Sequence, residues 1–453
     1  MMNFIYSFFN QPAIIIGLMA LIGLLAQKAS FSKVLTGTTK TIIGFLIMSL
    51  GGGIIAGSLE TLSPAFENAF NVQGVIPNNE AVIGLAQELL GTEMTIIMGL
   101  GFVFNILLAR VTKYKYIFLT GHHVLFMAAL ITAVLGTAGF TGWELILIGS
   151  FLLGSTMVLS PAIVQPFYRK VTGSNDIAMG HYNAVSYSIT ALIAKAVGNK
   201  ENSTEDIEVP DKFGFFRDST ITTAIVMVVI YLVVFLAADP ALMTELSGGD
   251  NSIMYAIVQG LTFTAGFVIV LQGVRMMLAE IIPAFQGISE RIVPDAIPAL
   301  DVPAIFPYGQ NAVIIGFFAS LAGGFAAFLV LPFTNLPLII PGLIPIFFVG
   351  AGSGVLNNGQ GGVRGTIIGG FVNGVSLILL PALMLPLLGD LGFSNTTFGD
   401  TDFATVGIIL GYLSQLFSKV GIYGIIVVLL GIFGYSAFKP AKTDEETLES
   451  EII

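Results

Sequence analysis

Residues 311–333 read NAVIIGFFASLAGGFAAFLVLPF, an apolar run of 23 positions without a single charge. A helix of that length rises about 35 Å, enough to cross the ~30 Å hydrocarbon core of a bilayer. Working outward from it, runs of the same kind lie near 12–27, 36–58, 94–110, 116–137, 142–166, 219–238, 253–279, 337–356, 363–388 and 419–438. Together they predict an all-α integral membrane fold of about eleven transmembrane helices. Composition agrees: 55% of the 453 residues are hydrophobic and only 10% charged, too apolar for an ordinary water-soluble domain. Glycine at 53 and phenylalanine at 36 suit helices that pack closely on one another and face lipid on the other side.

The placement of charge sets an expected orientation. With the N-terminus outside and the C-terminus cytoplasmic, every one of the 18 lysines and arginines except Lys419 falls on the cytoplasmic side. The outer segments carry Glu60, Glu67, Glu88, Glu93, Glu245 and Asp250 instead, so the net charge of −10 reflects sidedness and does not call for a basic partner. Met1 to Asn10 contains no basic region, and no removable leader is expected. There is no cysteine, which excludes disulfides, thiolate metal sites and a cysteine nucleophile in this polypeptide. No phosphate-cradling G-x-x-x-x-G-K-S/T run occurs either, so nucleotide hydrolysis has no support.

Four semi-polar segments sit between the spans, near 60–90, 176–198, 281–304 and 394–416, and read as re-entrant hairpins that mark a solute pathway. Two of them share a pattern. Pro64-Ala65-Phe66 followed by Ile76-Pro77-Asn78-Asn79-Glu80 matches Pro283-Ala284-Phe285 followed by Ile297-Pro298-Ala299-Leu300-Asp301. The offset of 221 from Pro77 to Pro298 also carries Gly121 onto Gly342 and Phe126 onto Phe347. Five spans separate equivalent elements, so the halves are expected to form two inverted-topology repeats, as in many secondary transporters. The expected organisation is a membrane unit 1–438, with repeat one near 12–198, a cytoplasmic loop near 198–218, repeat two near 219–416 and a last helix near 419–438, then a cytoplasmic tail 439–453.

An acid at membrane depth needs a partner, water or a proton, so Glu80 and Asp301, equivalent in the two repeats, are the leading functional candidates; the bland alternative is an acid solvating a turn. His122 and His181 each follow a Gly-His step and can exchange hydrogen bonds with a hydroxyl, although a capping or interfacial histidine looks the same in sequence. His123 reads as structural. No short ligand spacing points to a metal. The glycines and polar residues between Gly350 and Gly365, including Ser353, Asn357, Asn358 and Gln360, read as a helix-packing surface.

The sequence resembles the ascorbate-type permease subunits, enzyme IIC, of the bacterial phosphoenolpyruvate-dependent phosphotransferase system. The resemblance runs through Gly37-Thr38-Thr39-Lys40-Thr41-Ile42-Ile43-Gly44-Phe45, Leu119-Thr120-Gly121-His122, Gly180-His181, Gln272-Gly273-Val274-Arg275-Met276, Ala284-Phe285-Gln286-Gly287-Ile288-Ser289, and Leu300-Asp301 with Asn311-Ala312-Val313. It implies an eleven-helix homodimer in a cell membrane, with a core that moves against a scaffold in elevator fashion. It also implies that a separate IIB protein phosphorylates the solute from phosphocysteine, itself charged by a IIA protein, so this chain alone is not an enzyme. Solute contacts would fall on Asn79, Glu80, His122, His181 and Asp301, with Asp301 or His181 as a base. The pattern departs where ascorbate carriers place glutamines: Leu125, Phe126 and Met127 stand after the first histidine step and Tyr182-Asn183 after the second, which adds Tyr182 to the candidates and opens the substrate to L-ascorbate or a related sugar acid or polyol. The other reading is a proton-coupled secondary transporter in which Glu80 or Asp301 carries the proton; a membrane receptor without transport fits the polar hairpins less well. Besides solute, IIB, IIA and membrane lipid, no cofactor, metal or nucleic-acid partner is expected.

Overall fold

The computed structural model describes residues 11–70, 74–75, 77, 79–207, 219–390 and 397–438. The chain is helical almost throughout. In order come α1 (Pro12–Ala26), α2 (Phe31–Phe70), α3 (Asn79–Val111), strand β1 (Tyr116–Phe118), α4 (Gly121–Thr137), α5 (Gly142–Thr172), β2 (Ala178–Met179) and α6 (Ala184–Val197). The second half runs α7 (Ser219–Ala237), α8 (Pro240–Leu246), α9 (Ser252–Arg291), β3 (Ile297–Leu300), α10 (Gln310–Val330), α11 (Leu343–Asp390), α12 (Thr401–Phe417) and α13 (Lys419–Phe438). Among the described residues, seven helices are long and apolar enough to cross a membrane: α2, α3, α5, α9, α10, α11 and α13. The expected spans near 12–27, 116–137 and 219–238 fall on shorter apolar helices.

The sequence repeat is written into these bounds. Adding 221 to the ends of α2, Phe31–Phe70, gives those of α9, Ser252–Arg291, and each helix carries an internal proline, Pro64 or Pro283. The two helices cross at glycines. A Cβ on Gly44 would stand 2.6 Å from the Met277 nitrogen, one on Gly51 2.6 Å from that of Val270, and one on Gly273 2.2 Å from that of Met48. Residue numbers rise along α2 as they fall along α9, so the equivalent helices pack antiparallel and the repeats are inverted with respect to each other.

Two expectations are refined. The spans near 337–356 and 363–388 stand as two helical stretches of α11 that meet without a loop at Gly362, whose φ of 57° and ψ of −153° leave the helical region. Glycine is required there by conformation and by space, since a Cβ would lie 2.2 Å from the Asn202 carbonyl oxygen. The polar segments between spans are also more ordered than open hairpins. The second and third combine a helix end with short extended chain, because at membrane depth the backbone must hydrogen-bond to protein. Two such pieces, β2 and β3, form a parallel sheet with β1 in the order β1-β3-β2, with Phe118 opposite Ala299 and Met179 opposite Leu300. Val75 and Ile339 make a parallel bridge in the corresponding place of the other repeat.

Helices α1, α2, α7 and α9 pack together as one block, and α3 to α6 with α10 to α13 as a second. The last helix is largely uncovered, with Val420, Val427 and Val428 at 72%, 68% and 60% exposure, as suits a lipid-facing surface. Lys419, the one basic residue placed outside by the topology, donates to Glu144 at 2.6 Å and lies over the Phe140 ring at 4.7 Å. Tyr423 donates to the other oxygen of Glu144. The pairing fastens α13 to the start of α5.

Candidate functional site

The three parallel strands all finish at the same end, and each delivers a functional side chain there. Beyond β1 come His122 and His123, beyond β2 His181, and beyond β3 Asp301. The Gly180 amide donates to the Leu300 carbonyl at 2.6 Å, which brings His181 beside Asp301. His181 Nδ1 lies 2.7 Å from Asp301 Oδ1, and its Nε2 lies 3.3 Å from Asp400 Oδ1. The other oxygen of Asp301 faces His122 Nε2 at 3.6 Å. Asp301 also caps the 3-10 turn Val302–Tyr308 by accepting from the Val302 amide at 2.7 Å.

Asn79, at the start of α3, closes the chain of contacts. Its amide donates to Asp400 Oδ2 at 3.0 Å and its carbonyl accepts from the Gly399 amide at 2.9 Å. All four polar segments singled out in the sequence therefore meet: Asn79 from the first, His181 from the second, Asp301 from the third and Asp400 from the fourth. Glu80 lies in the first turn of α3, and its side chain is outside the described residues.

His123 differs from its structural reading. Its ring stands 4.0 Å from that of His181 and 4.7 Å from that of His122, so it lies at the middle of the cluster. Phe403 stacks on it at 5.6 Å, and Phe126 meets both His122 and His123 at under 6 Å. Phe126, standing where a glutamine was the pattern, therefore forms an apolar wall behind two imidazoles. Tyr182 turns the other way: its fully buried ring stacks on Phe118 at 4.8 Å and its hydroxyl pairs with Thr156 at 2.8 Å. It supports the histidines from behind, its amide 3.5 Å from His123 Nδ1.

Behind these groups, further polar side chains hold the turns in place. The buried Asp402 accepts from the amides of Ala184 at 2.9 Å and Val185 at 3.0 Å and from the Ser160 hydroxyl at 3.1 Å. Asn183 accepts from the Thr401 amide and hydroxyl and donates to Asn373. Asp400, Asp402 and Asn373 escaped the sequence reading, and Asn183 entered it only as a departure from the ascorbate pattern; the run Gly399-Asp400-Thr401-Asp402 ahead of an apolar helix was the available sign, since Asp and Thr in that position cap helices. The hydroxyls of Thr120 and Tyr187, both buried, have no hydrogen-bond partner among the described residues, and buried polar atoms are normally paired.

Metal-capable groupings exist as geometry. One ligand atom from each of His122, His123 and Asp301, or of His123, His181 and Asp400, lies within 4.8 Å of the others. His181 already faces a carboxylate with each nitrogen, so an ion in the second grouping would have to displace a hydrogen bond. The arrangement as it stands is a largely buried polar cluster of imidazoles, carboxylates and amides.

Long apolar helices in inverted repeats, with a buried polar cluster where the interrupted segments meet, define a multi-pass membrane permease. The family model for sugar-specific permease components of the phosphotransferase system, EIIC-GAT, matches residues 7–402, and the chain belongs to that family. The ascorbate-specific phosphotransferase EIIC component of Mycoplasma pneumoniae is 27% identical, over 80% of this chain and 63% of the relative. The chain thus spans under two thirds of that relative's length.

Proposed function

We propose that this protein is the IIC permease of a phosphotransferase system, that it moves L-ascorbate or a related sugar acid or polyol inward, and that it presents the solute to a separate IIB protein. The observation that carries the reading is the Asn79–Asp400–His181–Asp301–His122 chain, which draws all four interrupted segments to one point within a member of this family. The groups alternate donors and acceptors, as a ring of hydroxyls requires. Phe126 and Phe403 pack behind the imidazoles and hold the rings in place. Glu80, one residue from Asn79, completes the first segment's contribution.

The division into two helical blocks supports a rigid-body mechanism, in which the block carrying the cluster slides against α1, α2, α7 and α9. Phosphorylation then occurs at the cytoplasmic side. A solute hydroxyl oxygen bonds to the phosphorus of phosphocysteine on IIB, the P–S bond breaks, and the thiolate leaves with its electron pair. Asp301 Oδ2 receives the hydroxyl proton, with His122 beside it. With no cysteine in this chain, the donor is another polypeptide.

Reconstituted vesicles test the reading. Phosphorylated solute should appear inside only when the matching IIB, IIA and phosphoenolpyruvate are present. Accumulation of unmodified solute under a proton gradient alone would replace it with the ion-coupled transporter.

A further inference from the structure

Asp400 lies in the fourth polar segment but was not among the site residues expected from sequence, yet it closes the cluster. It is 3% exposed and touches His181 with one oxygen and Asn79 with the other. A neutral imidazole carries one N–H and one lone pair, so it can donate to only one of two flanking carboxylates. Both nitrogens of His181 face carboxylate oxygens. The Asp301–His181–Asp400 triad must therefore hold a proton beyond that of the neutral ring. Each carboxylate accepts from a further N–H, Val302 on Asp301 and Asn79 on Asp400, and such bonds favour the ionised carboxylate. The extra proton consequently belongs on His181.

We propose that Asp400 is a positioning residue of the solute site: by accepting from His181 Nε2 while Asn79 holds its other oxygen, it keeps His181 doubly protonated and turned toward Asp301. This inference rests on the permease reading and deepens it. In this arrangement His181 has no lone pair to offer as a base, which leaves Asp301 Oδ2 for the solute hydroxyl. Among the described residues, the titratable groups around the imidazole are Asp301, Asp400, His122, His123, Tyr187 and, behind them, Asp402 and Tyr182. Of these, the two carboxylates in contact set its proton count.

The Asp400→Asn variant gives a specific rearrangement. Its amide can accept from Asn79 only by presenting its NH2 toward His181, and His181 must then turn a lone pair to that NH2 and keep a single proton on Nδ1. Nitrogen NMR of the full chain in nanodiscs reads this directly, because only three histidines are present and single His→Gln variants assign them. In the solute-free protein, His181 should show two protonated nitrogens in the wild type and in Asp400→Glu, and one in Asp400→Asn. Calorimetry with L-ascorbate should show about tenfold weaker binding in Asp400→Asn, largely restored in Asp400→Glu, with the thermal midpoint unchanged in both. A singly protonated His181 in the wild type, or wild-type proton count and affinity in a folded Asp400→Asn, would overturn the proposal. The NMR arm needs no solute: if the wild type fails to bind L-ascorbate, the substrate reading falls while the role of Asp400 is still decided.

Discussion

Asn183 and Asp402 cap each other's helices: Asp402, in the first turn of α12, accepts from the amides of Ala184 and Val185 at the start of α6, and Asn183, just before α6, accepts from the Thr401 amide at the start of α12. Two helix N-termini thus meet head to head across the site, each supplying the acceptor for the other's unpaired donors. Helix ends carry such donors by construction, and burial makes leaving them unpaired costly. The reciprocal cap is what fixes the loops bearing His181 and Asp400.

Removing that cap should reduce stability more than it changes recognition. Asp402→Ala strands two buried amides and should destabilise the protein by about 2–4 kcal/mol, with Asn183→Ala costing about 1–2 kcal/mol. Because both variants break the same junction, the double variant should fall short of the sum. Thermal unfolding of the purified protein measures this, and fully additive losses would show that the two caps act independently.

Recognition should depend on the carboxylates at the cluster. Asp301→Asn leaves a carbonyl for His181 and the Val302 amide but removes the negative charge and turns Oδ2, which faces His122, into an NH2 donor; it should weaken solute binding about tenfold or more, and Glu80→Gln should act in the same direction. Glu245→Gln, on the exposed turn of α8, serves as the control and should bind like the wild type. Wild-type affinity in both folded acid variants would remove Asp301 and Glu80 from the site.

The α2–α9 crossing should tolerate no side chain. At Gly273 a Cβ would lie 2.2 Å from the Met48 backbone nitrogen, and at Gly44 the obstacle is likewise backbone. Gly273→Val should therefore force the helices apart and sharply lower the yield of folded protein, whereas Gly424→Val on α13, with open space around it, should leave the yield unchanged. Equal recovery of the two variants in detergent extracts would contradict the crossing.

Orientation can be read with single cysteines, since none is native. An external N-terminus predicts that cysteines at the exposed positions Lys113 and Glu201 are shielded from an impermeant thiol reagent in intact cells. A cysteine at Asp250, also exposed, should react, and it is preferable to the neighbouring Ser247, which is buried. The reverse labelling pattern would invert the topology.

The sequence by itself determined the class of fold and the repeat. Charge-free runs such as 311–333 can be stable only in lipid as helices, because every backbone group must then be paired within its own segment, and that rule is local enough to read from residue order. The offset of 221 was likewise legible, and it reappears in the bounds of α2 and α9. Glu80, Asp301, His122 and His181 could be picked out since a polar group in an apolar chain is anomalous wherever it sits, and Asn79 followed from the family resemblance. What only the tertiary structure decided is which of these groups touch. The strands β1, β2 and β3 are two to four residues long and pair across gaps of more than a hundred residues, a contact no periodicity announces. That pairing sets His181 against Asp301, draws His123 into the cluster, turns Tyr182 away to Thr156, and brings Asp400 and Asp402 from the far end of the chain. A hydrogen bond needs its two atoms within about 3 Å, and such a distance is set by how inverted repeats fold onto each other, not by the identity of any one residue.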